Sequence, residues 1–233
     1  MAISVINLGT ASGTAGATIT ITGVTVPSGS LIYVLSFERN SSGTQGIIDD
    51  GTNSYNISIV GSPNGSAANG VSTSFYAFNS IQLNNATITY TKDTSGVFAS
   101  MAAFYASGIQ TTSDPLDTVT NIAVGNSTTP NVTTFGPLNA TGELIVGNIA
   151  WNAGTGDTFT QDSINGAYAT PPDSLISSVA GIGGGNLVDS DTAPITYAPM
   201  LNNSRTWVNF IVTFLAIPPP PPISATLIGV MNY

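Results

Sequence analysis

The sequence predicts an all-β chain: a single antiparallel β-sandwich, jelly-roll-like, with a proline-linked C-terminal arm. Three observations carry this expectation. β-Branched and aromatic residues recur in short runs broken by Gly, Asn, Asp and Pro, and helical periodicity is almost absent. With 233 residues the chain is of ordinary size for one sandwich and can bury a sizeable core. Five consecutive prolines, Pro218 to Pro222, separate the last long apolar run from the terminal stretch ISATLIGVMNY. The expected units are a sandwich over 1–217, a polyproline spacer over 218–222 and an arm over 223–233.

Strands are expected first at 3–8 (ISVINL) and 17–24 (ATITITGV), the second with the alternation of a half-buried outer strand. SLIYVLSFE (30–38) is apolar on both phases, which suits a central strand covered on both faces. SYNISIV (54–60), STSFYAFN (72–79), ATITYT (86–91) and VFASMAAFYAS (97–107) come next, bounded by turn residues. Further on come TVTNIAV (118–124), GELIVGNIAW (142–151), APITYA (193–198) and RTWVNFIVTFLAI (205–217). The last run stops for a physical reason, because proline cannot donate to a strand ladder. The stretch from about 152 to 195 is the least regular. Gly181, Gly183, Gly184 and Gly185 around a single Ile read as a surface excursion rather than a strand. Two faint internal echoes pair 24–40 with 136–152 and LNNATITYT (83–91) with LNNSRTWVNFIVT (201–213).

Composition removes several functions. Only 6% of residues are charged, against roughly 25% in a typical soluble protein, so Ser, Thr, Asn and Gly must keep the surface wet. Twelve acidic and three basic residues give a net charge of -9. Such a chain has little with which to neutralise phosphates, so neither nucleic acid nor an anionic membrane is an expected partner. There is no cysteine and no histidine. That removes disulfides, the Ser-His and Cys-His dyads and the usual zinc sites. No segment approaches the roughly 20 apolar residues of a membrane helix, and the N-terminal stretch lacks the basic and apolar regions of a secretion signal.

Carboxylates are the remaining chemistry. Asp49 and Asp50, ahead of Gly51, read either as turn residues or as hard oxygen ligands for calcium, as do Asp189 and Asp191. Asp114 and Asp117 allow the same two readings. None has the spacing of a recognised metal loop, and no other cofactor is expected. Glu38 and Glu143, at nearly equivalent places in the first echo, are the only glutamates. They read as a surface pair with Arg39 and as a strand start, not as a glycosidase pair. Eight Asn-X-Ser/Thr acceptors, from Asn40 to Asn202, are weak grounds for glycosylation in so Asn-, Ser- and Thr-rich a chain. Tyr168 and Tyr197 flank the irregular segment and are the aromatic residues best placed to stack on a glycan.

The run SGSLIYVLSFERN, the turn IIDDGTNSY, STSFYAFN, LNNATITYT and FYASGI with DPLD after it form a loose pattern over about 17–155. It resembles the β-sandwich, jelly-roll-like virion structural proteins of tailed bacteriophages and related secreted bacterial proteins. The resemblance implies a non-enzymatic capsid decoration, cement or fibre subunit. Such a subunit would be made in the host cytoplasm and displayed on the virion surface, in contact with copies of itself and a major capsid or other virion protein. A carbohydrate-binding or adhesin module on a virion or cell surface is the alternative.

Five prolines in the polyproline form span about 15 Å and hold the terminal stretch away from the domain edge. Beyond them Ile223, Leu227, Ile228, Val230 and Tyr233 give the tail strand character. It either folds back as a last strand or reaches a neighbouring subunit, and the second makes these five the expected interaction residues.

Overall fold

A computed structural model describes residues 2–41, 45–65 and 70–218. The first half contributes β1 (Ser4–Gly13), β2 (Thr18–Val26), β3 (Leu31–Glu38), β4 (Gly46–Asp49), β5 (Asn56–Gly61), β6 (Val71–Ala77), β7 (Leu83–Thr91) and β8 (Ala99–Ser107). The second contributes β9 (Asn121–Ser127), β10 (Val132–Thr133), β11 (Leu144–Trp151), β12 (Phe159–Thr160), β13 (Leu175–Ile176), β14 (Gly181–Val188), β15 (Thr196–Tyr197), β16 (Met200–Leu201) and β17 (Arg205–Phe214). The expected all-β class holds, and every pairing between these strands is antiparallel.

The first half forms a five-stranded sheet, β1-β8-β3-β6-β5, and a three-stranded one, β2-β7-β4. The second half forms a five-stranded sheet, β13-β14-β11-β17-β9, and two ribbons, β10-β15 and β12-β16. Counted within each half, the two orders coincide. The first strand lies beside the last, the third lies between the last and the sixth, and the fifth closes the edge beside the sixth. The counterpart of β7 is split into β15 and β16, so the three-stranded sheet recurs as two ribbons. First with last, second with second-to-last and third with sixth are nested pairings, the result of rolling up a long hairpin. Each half is thus one winding with the same nested antiparallel pairing. The sandwich expected over 1–217 is therefore built from two successive windings.

The first sequence echo has a structural basis, since β3 and β11 are the middle strands of their sheets. The second does not: β7 belongs to an outer sheet and β17 to an inner one. Glu38 and Glu143 are also not equivalent, because Glu38 ends β3 whereas Glu143 precedes β11.

The two five-stranded sheets pack face to face. Leu31, Tyr33, Leu35 and Phe104 from one meet Val146, Val208, Phe210 and Phe214 from the other. On the far face of the first sheet, Ile32, Val34 and Met101 pack against Ile19, Ile21 and Tyr90 of the three-stranded sheet. On the far face of the second, Ile145 and Ile211 lie under Tyr168 and Tyr197, while Ile149 and Trp207 pack near Leu201. This four-layer stack explains why β3 and β11 are apolar on both phases while β2 alternates. Each fully buried Leu, Ile, Val or Phe contributes roughly 1.5–3 kcal/mol. Separating the halves would expose the whole face between them, a patch that a soluble chain rarely tolerates.

The glycine run corrects the sequence reading. Gly181–Val188 is no surface excursion but an eight-residue strand, paired with β11 along its length. Glycine is what permits the arrangement. A Cβ at Gly181 would lie 2.2 Å from Trp151 Cζ2, and one at Gly185 would lie 2.1 Å from Gln161 Nε2. Gly147 in β11 does the same for Tyr197, whose Cγ would be 2.2 Å away. Large side chains from neighbouring segments lie flat on these strands where the strands have none of their own.

β17 ends at Phe214, three residues short of the expected Ile217. Its course continues beside 108–115, with Leu215 N–H donating to Pro115 C=O at 2.8 Å and Ile217 N–H to Gly108 C=O at 2.9 Å. The spacer beyond Pro218 and the expected interaction residues Ile223, Leu227, Ile228, Val230 and Tyr233 lie outside the described residues.

Candidate functional site

A strand edge is the most distinctive feature of the surface. Asp117 N–H donates to Thr213 C=O at 2.9 Å and Leu215 N–H to Pro115 C=O at 2.8 Å, so odd-numbered residues of β17 turn their backbone groups toward the β9 side. The register sets Trp207 opposite Gly125, Asn209 opposite Ala123 and Ile211 opposite Asn121. Strand alternation then points the N–H and C=O of Ile122, Val124 and Asn126 away from the sheet. Ile122 N–H is covered by Asn121 Oδ1 at 2.8 Å. Among the described residues nothing covers the outward groups of Val124 and Asn126.

The other edges are blunted. β1 shifts register between Asn7 and Gly9, β2 between Thr22 and Val24 and again before Val26, and β5 between Ile57 and Ile59. Such bulges twist an edge away from further pairing. β4 has four residues and β13 two. β9 has seven (NIAVGNS), with no register shift, charge or proline. Ile122 and Val124 are 36% and 45% exposed on it. Their side chains share the face of Val208 and Phe210, and Ile122 reaches Gly61 at the end of β5. The sequence reading placed a strand at 118–124, but nothing local in TVTNIAV distinguishes an edge from a centre.

The chain leaves the described body beside a second feature. Ala216 and Ile217 line a depression of about 400 Å³ with Ala2, Ile3, Thr141, Gly142 and Val188. An adjoining one of about 320 Å³ runs along Gln110, Ala140, Leu215 and Pro218. The loop between them, Ala140–Gly142, precedes Glu143. That carboxyl is buried; its Oε1 accepts from Ala140 N–H at 2.7 Å, and its Oε2 has no partner among the described residues. Burial, with the neighbouring Asp117 carboxylate, pushes Glu143 up to about 7.

The proposed glycan contacts are corrected. Tyr168 is 7% exposed and Tyr197 is fully buried. The structure does bring them together, with ring centroids 4.9 Å apart, but within the core over the second five-stranded sheet. Their hydroxyls donate inward, Tyr197 to Gln161 Oε1 at 2.8 Å and Tyr168 to Thr196 C=O at 3.1 Å. Neither presents a ring face on which a sugar could stack.

The carboxylates act as turn acceptors. Asp49 Oδ1 accepts from Gly51 N–H at 2.9 Å and Asn53 N–H at 3.2 Å. Its Oδ2 accepts from Asn53 Nδ2 at 2.9 Å and from the Tyr55 hydroxyl at 2.8 Å. These bonds hold Thr52 at φ 61°, a left-handed conformation that a β-branched residue rarely adopts. Asp50 Oδ2 accepts from Thr87 N–H at 2.6 Å, so it faces another strand. Asp189 accepts from Asp191 N–H at 3.2 Å and Asp191 from Ala193 N–H at 2.7 Å, two successive Asx turns. Among the described residues no three His, Cys, Asp or Glu gather as metal ligands. Glu38, expected as a surface partner of Arg39, is instead fully buried. It accepts from the Tyr90 hydroxyl at 3.1 Å and from the N–H groups of Asp93 at 2.9 Å and Thr94 at 2.8 Å.

Compared with models of known protein families and with curated proteins, the chain matches none.

Proposed function

We propose that this protein is a non-enzymatic structural subunit of a phage particle, a capsid decoration, cement or fibre component that binds neighbouring subunits through its surface and C-terminal arm. The observation that carries the reading is the β9 edge, a regular and uncharged strand on which the outward backbone groups of Val124 and Asn126 have no cover among the described residues. Two features support it. The resemblance of 17–155 to virion sandwich proteins supplies the class, and the four packed layers supply a body with a large apolar core. The adhesin alternative loses its observation with the burial of Tyr168 and Tyr197. Mass spectrometry of particles purified on a density gradient tests the proposal. The chain should be present in many copies per particle; its absence from purified particles would overturn the reading.

A further inference from the structure

We propose that Asp117 and Glu143 form a proton-held latch on the loop 139–142: one proton shared by the two carboxyls fastens the loop against the body, and its loss releases it. This device is independent of the assembly reading above.

The loop is built around the pair. Leu138 N–H donates to Thr192 C=O at 3.0 Å and Gly142 N–H to Asp189 C=O at 2.7 Å, which anchors the loop at both ends. Between these anchors the successive N–H groups of Asn139 and Ala140 donate to Asp117 Oδ2 at 3.3 Å and to Glu143 Oε1 at 2.7 Å. The side-chain amide of Asn139 also donates to Asp117 Oδ1, which takes the Thr118 N–H at 2.6 Å as well. Adjacent peptides thus hold two carboxyls together in a buried place, Asp117 being 3% exposed and Glu143 fully buried.

Two neighbouring carboxylates are costly there, because each disfavours the charge of the other and burial disfavours both. Among the described residues no basic side chain bonds to either. The loop after β14, packed here through the Asp189 and Thr192 carbonyls, adds only the further carboxylates of Asp189 and Asp191. Tyr168 and Tyr197, in the apolar cluster with Val119 and Leu138, give their hydroxyls to Thr196 and Gln161. A proton meets the need. Glu143 Oε2 is buried with no partner among the described residues, and the Asp117 carboxyl lies within hydrogen-bonding reach of Glu143. Protonated Glu143 supplies an O–H, and Asp117 Oδ2, which accepts only the long bond from Asn139 N–H, has a lone pair to receive it. An O–H donated to a carboxylate is among the stronger hydrogen bonds.

Losing the proton removes that bond and sets two negative charges side by side under the loop. The peptides of Asn139 and Ala140 then lift from the body, and both carboxylates reach water. Glu143 is raised from 4.5 to about 7 in the closed arrangement, so closure has its full strength below 4.5 and loses it as pH rises through about 7. Ala140, Thr141 and Gly142 line the depressions beside Ala216 and Ile217, so the latch shapes the wall along which the chain leaves the described body.

Nuclear magnetic resonance of the full chain tests the latch. The Glu143 carboxyl carbon should titrate near pH 7. Hydrogen-exchange protection of the Ala140 N–H should be level below pH 4.5, fall by up to tenfold per pH unit above it and level off beyond about 7. Glu143→Gln, whose amide is a permanent donor, should hold that protection across the range. Asp117→Asn keeps an acceptor for Asn139 N–H but removes the charge, and should move the Glu143 midpoint down. Should either variant fail to fold, the parent's own profile decides. A Glu143 midpoint at the ordinary 4.5, parent protection that does not change between pH 4.5 and 7, an equal fall in Glu143→Gln, or a midpoint indifferent to Asp117→Asn overturns the latch.

Discussion

Asn148 Nδ2 donates a hydrogen bond of 2.7 Å to the Tyr33 hydroxyl across the interface between the two windings, and both residues are fully buried. Tyr33 lies on β3 and Asn148 on β11, the middle strands of the facing sheets. Tyr33 also stacks on Phe104 with centroids 5.1 Å apart and meets Phe214 edge-on at 5.9 Å. A polar bond thus fixes the register of an interface that is otherwise aliphatic and aromatic.

Tyr33→Phe strands the Asn148 amide, whose Oδ1 already lacks a partner among the described residues. The expected loss is about 1–3 kcal/mol, read as a lower urea midpoint at an unchanged slope. Adding Asn148→Leu removes both polar partners and should recover part of the loss. A double variant weaker than the sum of the two singles would show that the bond does not act as a pair.

Gly147→Ala and Gly181→Ala each drive a methyl group into an aromatic ring, of Tyr197 and Trp151 respectively. Each should cost about 1–3 kcal/mol as an overpacked site. Gly96→Ala, where nothing lies within 4 Å of the added Cβ, bears only the strain of its φ of +83° and should cost less. Thermal midpoints of the three variants check the ranking.

These glycines also mark where the sequence was misleading. The two-phase apolar runs of β3 and β11 were legible because burial on both faces leaves no polar phase. β14 was not, because its reason for being glycine lies in Trp151, Phe159 and Gln161, far away in sequence. Tyr197 read as a surface aromatic for the same cause: the residues packed around it, Val132, Ile145, Tyr168 and Ile211, come from separate segments. The turn reading of Asp49, one of the two its sequence allows, was legible because its partners are Gly51, Asn53 and Tyr55, all within six positions.

Glu143 and Asp157 give stability opposite pH dependences. Glu143 is raised from 4.5 to about 7, so its contribution is fully present below 4.5 and is lost as pH rises through about 7. Facing it are Asp117 and the backbone of Asp189, whose N–H donates to Glu143 C=O at 3.3 Å. Asp157 is lowered from 3.8 to about 2 by the Arg205 guanidinium, which binds both its oxygens at 2.8 Å. Its contribution is present above 3.8 and is lost as pH falls through about 2. The thermal midpoint should therefore be highest near pH 4–5, between these limits. Glu143→Gln should flatten the decline toward pH 7 and leave the acid limb in place.

Asp49→Ala releases two backbone N–H groups, the Asn53 amide and the Tyr55 hydroxyl. With Thr52 no longer held at φ 61°, the expected loss is about 2–4 kcal/mol. Because both oxygens of Asp49 already accept two hydrogen bonds each, millimolar calcium or a chelator should leave the thermal midpoint of the parent unchanged. A calcium-dependent rise would restore the metal reading of this turn.

The central proposal is that this chain is a repeated part of a particle, in contact with its neighbours through the β9 edge. An electron-microscopy map of the native particle tests it most directly. Many equivalent copies should lie on the outer surface, each with its β9 edge covered by a neighbour. A map that lacks the chain, or that leaves every β9 edge bare to solvent, would contradict it.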